Sequence, residues 1–389
     1  MRVVDRIYLD HQATTPVDPR VVEAMLPAFT ELYGNAASRD HTFGLEAKRA
    51  VDKARRHVAA LIGADEDEII FTSGATEADN LAILGVMEEH ADRGDHLITV
   101  QTEHKAVLDA AQELERRGKQ VTYLKVDSTG LVAPDDVACA ITPRTVLVSV
   151  MAANNEIGTI APLAEIGRVC EDHEVLFHTD AVQLAGHLPL DVRGAGVHLA
   201  SLSAHKMYGP KGVGALYRRR SNPRVELHPI LFGGGHEHGL RSGTLNVPGI
   251  IGFGEAARIA KREMGALARQ HRAWTDRLLA GLQDRLDDVL LNGHGTERLP
   301  HNLNVSISGV ESRALVVELK DSVAIATGSA CTSASVEPSH VIKALGFGDE
   351  RAHHSIRLSV GRSNMPRQID KAIEQIVTAV NSLREFSLL

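Results

Sequence analysis

The sequence predicts an α/β protein in which a mostly parallel central sheet forms a large unit and a smaller α+β unit follows it. From residue 45, amphipathic helical segments alternate with short apolar strands. Strands that are apolar throughout are typical of a parallel sheet covered by helices on both faces. Residues 254–286 then form one long amphipathic stretch without a strand signal. This change of pattern indicates a boundary between two units.

The larger unit is predicted element by element from its periodicity. A helix is predicted over 45–62, because its apolar residues recur on one face and Gly63 can end it. Short apolar runs predict strands at 68–72, 96–100, 121–126, 145–150, 175–179, 198–203 and 213–218. Helical periodicity at 105–117 and 163–172 supplies two of the connections.

The smaller unit is predicted from the residues that follow the long helical stretch. Strands are predicted at 302–308, 323–326 and 355–360, and helices at 312–320, 339–345 and 366–385. We therefore predict a large domain over residues 15–258 and a small domain made of residues 1–14 and 259–389.

Composition excludes several classes of function. The 389 residues include 42 Lys and Arg against 50 Asp and Glu, and a net charge of −8 disfavours a dominant nucleic-acid surface. No apolar run approaches the ~20 residues of a membrane helix, and the N-terminus lacks a signal-peptide core. The three cysteines are too far apart for a C-x2-C pair, and no H-E-x-x-H pattern occurs. We expect a cytoplasmic protein without a metal, a membrane or a direct nucleic-acid partner.

Three segments that follow strands carry candidate chemistry, because ligands bind at the carboxyl ends of strands in open α/β sheets. The segment SGATE at 73–77 opens a helix and suits a phosphate, although a glycine turn with a capping box explains it equally well. Asp180 can cap, bind a metal or hold a ring nitrogen protonated. Lys206 lies at the sheet edge before a glycine-rich turn, where desolvation favours a Schiff base. Together they are what pyridoxal phosphate needs.

The chain resembles the pyridoxal-phosphate cysteine desulfurases of the NifS/IscS class, which have the aspartate-aminotransferase-like fold of fold type I enzymes. The resemblance covers nearly the whole chain. It rests on the ordered motifs YLDHQATTPVDPRV, FTSGATEADNLAI, TEHKAVLD, NNEIGT, HTDAVQ, SAHKMYGPKG, GGGHEHGLRSGT, GSACTSAS and SIRLSVGR. It implies that the large domain binds pyridoxal 5'-phosphate and that the small domain carries the loop of a catalytic cysteine.

The resemblance assigns roles to the residues that match the cofactor site. Lys206 is implied to carry the cofactor as a Schiff base, Asp180 to pair with the pyridine nitrogen and His104 to stack on the ring. The other positions implied to contact the cofactor are Gln183 at the ring hydroxyl, Asn155, Ala75, Thr76, Ser203 and His205, with Thr244 reaching the phosphate of the partner subunit in a homodimer.

The resemblance also implies how the substrate L-cysteine is bound. Asn35, Asn155 and Arg357 match substrate-binding positions, and the guanidinium of Arg357 suits bidentate binding of an α-carboxylate. L-cysteine is implied to react through an external aldimine and to leave as L-alanine. His104 is the candidate for proton transfer, since an ordinary histidine exchanges protons near neutral pH.

Cys331 is implied to take the substrate sulfur as a persulfide. Its surroundings, GSACTSAS, resemble the long catalytic loop of class I desulfurases. Cys139 and Cys170 lie in amphipathic helical segments and fit the buried packing role that is usual for a free cysteine.

The sequence leaves the exact reaction and the sulfur acceptor open. A selenocysteine lyase or another β-lyase or aminotransferase of this fold is the alternative, because the cofactor site alone does not choose the reaction. The resemblance implies a sulfur-acceptor protein that serves iron–sulfur cluster assembly, tRNA thiolation or, in the DndA type, DNA phosphorothioation.

Some positions depart from the family pattern. His238 stands where arginine is common, which puts a contact with the acceptor in doubt. The sequence ends at LREFSLL, where other family members continue into a tail that docks the iron–sulfur scaffold, so delivery to that scaffold is less expected. His11 and Gln12 are interpreted as variation without a function.

Overall fold

The computed structural model describes residues 6–328 and 338–387, so the predicted catalytic Cys331 lies outside the described residues. The strands are β1 (Ile7–Tyr8), β2 (Ile69–Thr72), β3 (His96–Val100), β4 (Gln120–Leu124), β5 (Thr145–Ser149), β6 (Leu176–Asp180), β7 (Leu199–Ser203), β8 (Gly214–Arg218), β9 (Val289–Leu291), β10 (Asn302–Ile307), β11 (Val323–Ala324) and β12 (Ser355–Ser359). Every predicted strand is present.

The helices complete the alternation. They are α1 (Pro19–Met25), α2 (Pro27–Thr30), α3 (Thr42–Ile62), α4 (Ala75–Glu89), α5 (Lys105–Arg116), α6 (Pro134–Ala140), α7 (Leu163–Asp172), α8 (Val247–Gln283), α9 (Ser312–Leu319), α10 (His340–Ala344), α11 (Gly348–His353) and α12 (Pro366–Ser387). Gly63 ends α3 with a φ of 74°, as predicted. No helix in the described part of the chain combines the length and apolarity needed to span a bilayer.

A seven-stranded sheet in the order β2-β8-β7-β6-β5-β3-β4 forms the centre of the larger part. Only β8 runs antiparallel to its neighbours in this sheet. The predicted α/β fold with a mostly parallel sheet is therefore confirmed.

Both faces of this sheet are buried, which explains why its strands are apolar throughout. Neighbouring residues of one strand enter different hydrophobic clusters: Phe71 packs with residues of α3, α7 and α8, whereas Ile70 packs with residues of α4 and α5. Successive side chains of a strand point to opposite faces. The helices therefore form a layer on each side of the sheet.

The smaller part has its own core. Strands β9, β10 and β12 form an antiparallel sheet, and β1 pairs in parallel with β11. Helices α9 and α12 and the C-terminal half of α8 pack with these strands. The boundary predicted at residues 258 and 259 falls inside α8, whose Phe253 belongs to the larger core and whose Leu278 belongs to the smaller one. The division into two domains stays a prediction.

Four histidines from separate segments lie close together next to the turn that follows β7 and contains Lys206. We call His11, His187, His271 and His301 the histidine cluster. The rings of His187 and His301 stack with centroids 4.0 Å apart, and the ring centroid of His271 lies 6.2 Å from that of His301. Burial lowers the pKa of His11 to about 4 and that of His271 to about 3. The cluster is therefore uncharged at neutral pH.

Candidate active site

A cavity of about 340 Å³ opens at the carboxyl ends of the central strands. Asp180 is the last residue of β6, Ser203 is the last residue of β7, and His104 follows β3 and precedes α5. The cavity brings together ten of the predicted site residues: Ala75, Thr76, His104, Asn155, Asp180, Gln183, Ser203, His205, Lys206 and Arg357.

One end of the cavity is built to receive an anion. Helix α4 begins there after Gly74, and no side chain caps its first turn, so its backbone N–H groups are available to a ligand. The capping-box alternative does not form here, because the N-cap is Gly74 and Glu77 accepts a hydrogen bond from the backbone N–H of the preceding Ser73 at 2.7 Å. A side chain at Gly214 would meet the backbone of Gly74 at 2.7 Å, so glycine permits this close approach.

The side chains around the first turn of α4 add further donors. Thr76, Ser203, His205 and Lys211 all line this cavity. Burial, together with the charges of Lys206 and Lys211, lowers the pKa of His205 to about 4, so its ring is neutral at pH 7. A neutral imidazole can still donate one hydrogen bond to a phosphate oxygen.

Lys206 lies in a short turn after β7 that several contacts hold in place. Its Nζ donates to the carbonyl oxygen of Ala13 at 2.8 Å and also to that of Gln12. Its own carbonyl oxygen accepts a hydrogen bond from Nε2 of His187 at 3.0 Å. The lysine amine is thereby presented to the cavity from a fixed backbone.

Asp180 and His104 carry the titratable chemistry of the cavity wall. Asp180 is 6% exposed, and Oδ1 of its carboxylate accepts from the backbone N–H of Val182 at 2.9 Å. Burial raises the pKa of Asp180, and the charges of His104 and Lys206 oppose that shift. Nδ1 of His104 accepts from the backbone N–H of Ala106 at 3.1 Å, so Nε2 is the ring nitrogen left to carry a proton.

Gln12, interpreted from the sequence as variation without a function, lies in the wall of this cavity. It lines the cavity and is 1% exposed. Its Nε2 donates to Oε1 of Gln183 at 3.4 Å, and its carbonyl oxygen accepts from Nε2 of Gln183 at 3.3 Å. A polar residue in the first motif gives no signal of these contacts, because Gln183 lies 171 residues away in the sequence. Met151 and Lys211 are further lining residues that sequence reasoning did not single out.

Arg357 is a buried cation at the opposite side of the cavity. Its Nη1 donates to the carbonyl oxygen of Asn155 at 2.8 Å, and its Nη2 donates to Oδ1 of Asp10 at 2.8 Å. The side chain of Arg357 is 1% exposed, whereas that of Asp10 is 18% exposed. An incoming carboxylate therefore meets a guanidinium whose position is already fixed.

Two predicted residues do not reach the cavity of their own chain. Asn35 and Thr244 are both exposed and are not among the residues that line it. Of the two cysteines in the described residues, Cys170 is buried and Cys139 is exposed. The packing interpretation is therefore confirmed for Cys170, where burial raises the thiol pKa to about 12, and is wrong for Cys139. Helix α6 buries Val137 and carries two aspartates in its first turn, and Cys139 is an exposed residue of this helix.

The residues that line the cavity fit pyridoxal phosphate in their chemistry. An uncapped helix end with hydroxyl donors suits the phosphate, a buried carboxylate suits a cationic ring nitrogen, and a lysine amine suits the aldehyde. Burial of the Asp180 carboxylate costs free energy, and a bound cationic ring would offset part of that cost.

Comparison with known proteins gives consistent matches over nearly the whole chain. The family model for aminotransferase class V matches residues 7–372. A protein named cysteine desulfurase IscS from Anaeromyxobacter dehalogenans is 54% identical over 383 residues, which are 98% of this chain and 94% of that protein.

Solved structures give the same result. A NifS-like protein is 36% identical with a TM-score of 0.90, covering 97% of this chain and 100% of its own. The structure described as SspA in complex with cysteine is 35% identical with a TM-score of 0.79, covering 91% of this chain and 98% of its own.

Proposed function

The chain belongs to the aminotransferase class-V family, and on that premise we propose that it is a pyridoxal-phosphate-dependent cysteine desulfurase that converts L-cysteine to L-alanine. The resemblance read from the motifs is confirmed by the comparisons. The observation that carries the proposal is one cavity that holds the amine of Lys206, the carboxylate of Asp180 and the open first turn of α4. The solved relative bound to cysteine supports the choice of substrate.

The residues of the cavity would hold three parts of the cofactor. Lys206 would bind its aldehyde through Nζ, and Asp180 would accept a hydrogen bond from its ring nitrogen. The N–H groups at the start of α4 would bind its phosphate together with the hydroxyl groups of Thr76 and Ser203. Bound pyridoxal phosphate supplies an electron sink that weakens the Cα–H bond of the amino acid.

The remaining residues bind the substrate and move protons. Arg357 binds the α-carboxylate with its guanidinium, and Asn155 lies beside it. The amine of Lys206 would be the base that removes the Cα proton of the bound amino acid. Nε2 of His104 exchanges a proton with the substrate thiol, since Nδ1 is engaged by the backbone.

Sulfur leaves the substrate through Cys331. The Cys331 thiolate attacks the substrate sulfur, so that an S–S bond forms and the C–S bond breaks with its electron pair passing to the substrate carbon. Cys331 keeps the sulfur as a persulfide, and protonation of the carbon gives alanine. The persulfide then serves a sulfur-acceptor protein.

The decisive experiment measures alanine and sulfide after incubation of the protein with L-cysteine. We expect stoichiometric alanine, a persulfide mapped by mass spectrometry to Cys331, and no turnover in Lys206→Ala. Lys211→Ala is the matched control, because it removes a lysine from the same cavity and should leave turnover measurable. Turnover with selenocysteine but not with cysteine would replace the proposal with a selenocysteine lyase, and sulfane sulfur on Cys139 or Cys170 alone would overturn the role of Cys331.

We propose that the active unit is a homodimer whose sites are shared. Large apolar side chains are exposed on α2 and in the segments beside it, with Leu26 58%, Phe29 61% and Tyr33 64% exposed. Phe232 is 76% exposed on the loop that leads to Thr244. Patches of this kind mark protein interfaces, and a second copy is the occupant that also explains the exposed Thr244.

Mixing inactive variants tests the shared site. Heterodimers of Lys206→Ala and Thr244→Ala chains have one site with both lesions and one with neither, so activity should recover in part. Sedimentation of the wild-type protein should give a dimer. Verified heterodimers without recovered activity would show that each chain builds its site alone.

A further inference from the structure

We propose that Gln12 is a positioning residue for Gln183, and that a chain of hydrogen bonds starting at Arg298 fixes which end of the Gln183 amide faces the cofactor. The inference rests on the proposed contact between Gln183 and the ring hydroxyl oxygen. It concerns an amide side chain, whose two ends have similar shape and opposite hydrogen-bonding character.

The chain of hydrogen bonds starts at a group that can only donate. The guanidinium of Arg298 is 4% exposed, and its Nη2 donates to Oδ1 of Asn302 at 2.8 Å and to the carbonyl oxygen of Ile157 at 3.2 Å. Burial lowers the pKa of Arg298 to about 10, which leaves the group protonated at neutral pH. The Asn302 oxygen must therefore face Arg298, and its amide nitrogen faces away.

The hydrogen bonds of Asn302 in turn fix the orientation of the Gln12 amide. Nδ2 of Asn302 donates to Oε1 of Gln12 at 2.6 Å and to the carbonyl oxygen of Glu156 at 2.9 Å. A backbone carbonyl only accepts, so it enforces the same orientation of Asn302 as Arg298 does. With its oxygen engaged, Gln12 has its Nε2 at the other end, where it donates to Oε1 of Gln183 at 3.4 Å.

The last link determines what Gln183 offers to a ligand. Its oxygen accepts from Gln12, and one N–H of its Nε2 donates to the carbonyl oxygen of Gln12 at 3.3 Å. One N–H is left for a group in the cavity that Gln183 lines. A reversed amide would place lone pairs against the ring oxygen of the cofactor. The three amides are buried, with Gln12 and Asn302 both 1% exposed and Gln183 5% exposed, so water does not readily replace these bonds.

A double-mutant cycle tests whether Gln12 acts through Gln183. The readout is the pH midpoint at which the absorption band of the bound cofactor shifts. A donor at the ring oxygen stabilises its negative charge and keeps that midpoint low. We expect Gln183→Ala to raise the midpoint by about one pH unit and Gln12→Met to raise it by a part of that shift. The double variant should have the same pH midpoint as Gln183→Ala, because a residue that acts only through Gln183 has no effect once Gln183 is removed.

The outcomes separate this inference from the cofactor assignment. An unchanged midpoint in Gln183→Ala would remove the proposed contact of Gln183 itself. A normal shift in Gln183→Ala with none in Gln12→Met, or additive shifts in the double variant, would overturn the role of Gln12. If Gln12→Met binds no cofactor, Gln12→Ala is measured in the same cycle.

A variant at the remote end supplies an independent test. Asn302→Asp places an oxygen against Oε1 of Gln12, so the amide of Gln12 and then that of Gln183 should reverse. The pH midpoint of the cofactor band should then rise. Asn304→Asp is the matched control, because Asn304 also donates to the carbonyl oxygen of Glu156, at 3.1 Å, and has no hydrogen bond to Gln12. Equal pH midpoints in Asn302→Asp and Asn304→Asp would refute the proposed chain of hydrogen bonds.

Discussion

Glu237 ties the loop that carries Thr244 to the edge of the central sheet. Its two carboxylate oxygens accept from Nη1 and Nη2 of Arg55, each at 2.7 Å, and Oε2 also accepts from the backbone N–H of Phe71 at 2.7 Å. The Glu237 side chain is 3% exposed and that of Arg55 is 12% exposed. Removal of the carboxylate in Glu237→Ala should therefore destabilise the fold strongly.

The structure sets the size of that effect. Removing one partner of a buried ion pair costs about 3–5 kcal/mol, and the Phe71 N–H loses its acceptor as well. Arg55 keeps its hydrogen bond to the carbonyl oxygen of Ile69 at 2.5 Å and has some contact with water, so we expect about 3–4 kcal/mol. Glu66→Ala is the control, because Glu66 is 51% exposed and pairs at 3.2 Å with Arg56, which is 56% exposed. An exposed pair of this kind contributes less than about 1 kcal/mol.

Urea unfolding, followed by far-ultraviolet circular dichroism, measures both variants. The midpoint of Glu237→Ala should fall well below that of Glu66→Ala, with the slope of the transition unchanged. Equal free energies of unfolding in the two variants would refute the assigned role of the Arg55–Glu237 pair. Turnover measured under folding conditions should also fall in Glu237→Ala, because the proposed partner contact through Thr244 depends on this loop.

Three further predictions concern chemistry and pH. Asp180→Asn keeps an acceptor for the Val182 N–H and removes the negative charge. We expect turnover to fall about 10²–10³-fold while the melting temperature stays unchanged. Near-normal turnover would contradict the role of Asp180. Cys331→Ser should bind cysteine with a spectral change and form almost no alanine, whereas Cys139→Ser should turn over normally; persulfide formation in Cys331→Ser would contradict this. Because the pKa values of the histidine cluster are lowered in the folded state, the unfolded chain takes up protons at a higher pH than the folded chain does. The free energy of unfolding should therefore fall as the pH drops from about 7 to about 4. The fall should be at most about 1.4 kcal/mol per pH unit for each histidine. His271→Phe should flatten this dependence in urea titrations, and an unchanged slope would exclude a contribution from that residue.

Periodicity predicted the elements because the two faces of the sheet and the buried faces of the helices are local features of the sequence. Predicted and observed bounds agree within three residues for the helix that Gly63 ends and for the last helix. Strand β9 was not predicted, since its apolar run is only three residues long. Its pairing with β10 depends on contacts that no local pattern records.

The site was predictable where a motif places a residue directly after a strand, as with Asp180 and Lys206. It was not predictable where the contact joins distant segments. Gln12 meets Asn302 across 290 residues, and neither residue carries a local signal of the other. Asn35 and Thr244 are exposed and do not line the cavity of their own chain, so a single protomer does not test their predicted roles.

Helix α8 has a consequence for how the protein unfolds. It runs without interruption for 37 residues, a length of about 55 Å. Phe253 near one end and Leu278 near the other are buried in different cores. Loss of either core exposes apolar side chains on a helix that the other core still holds, which penalises half-folded chains. The two cores should therefore melt in a single cooperative transition, and a hinge between them would have to bend this helix.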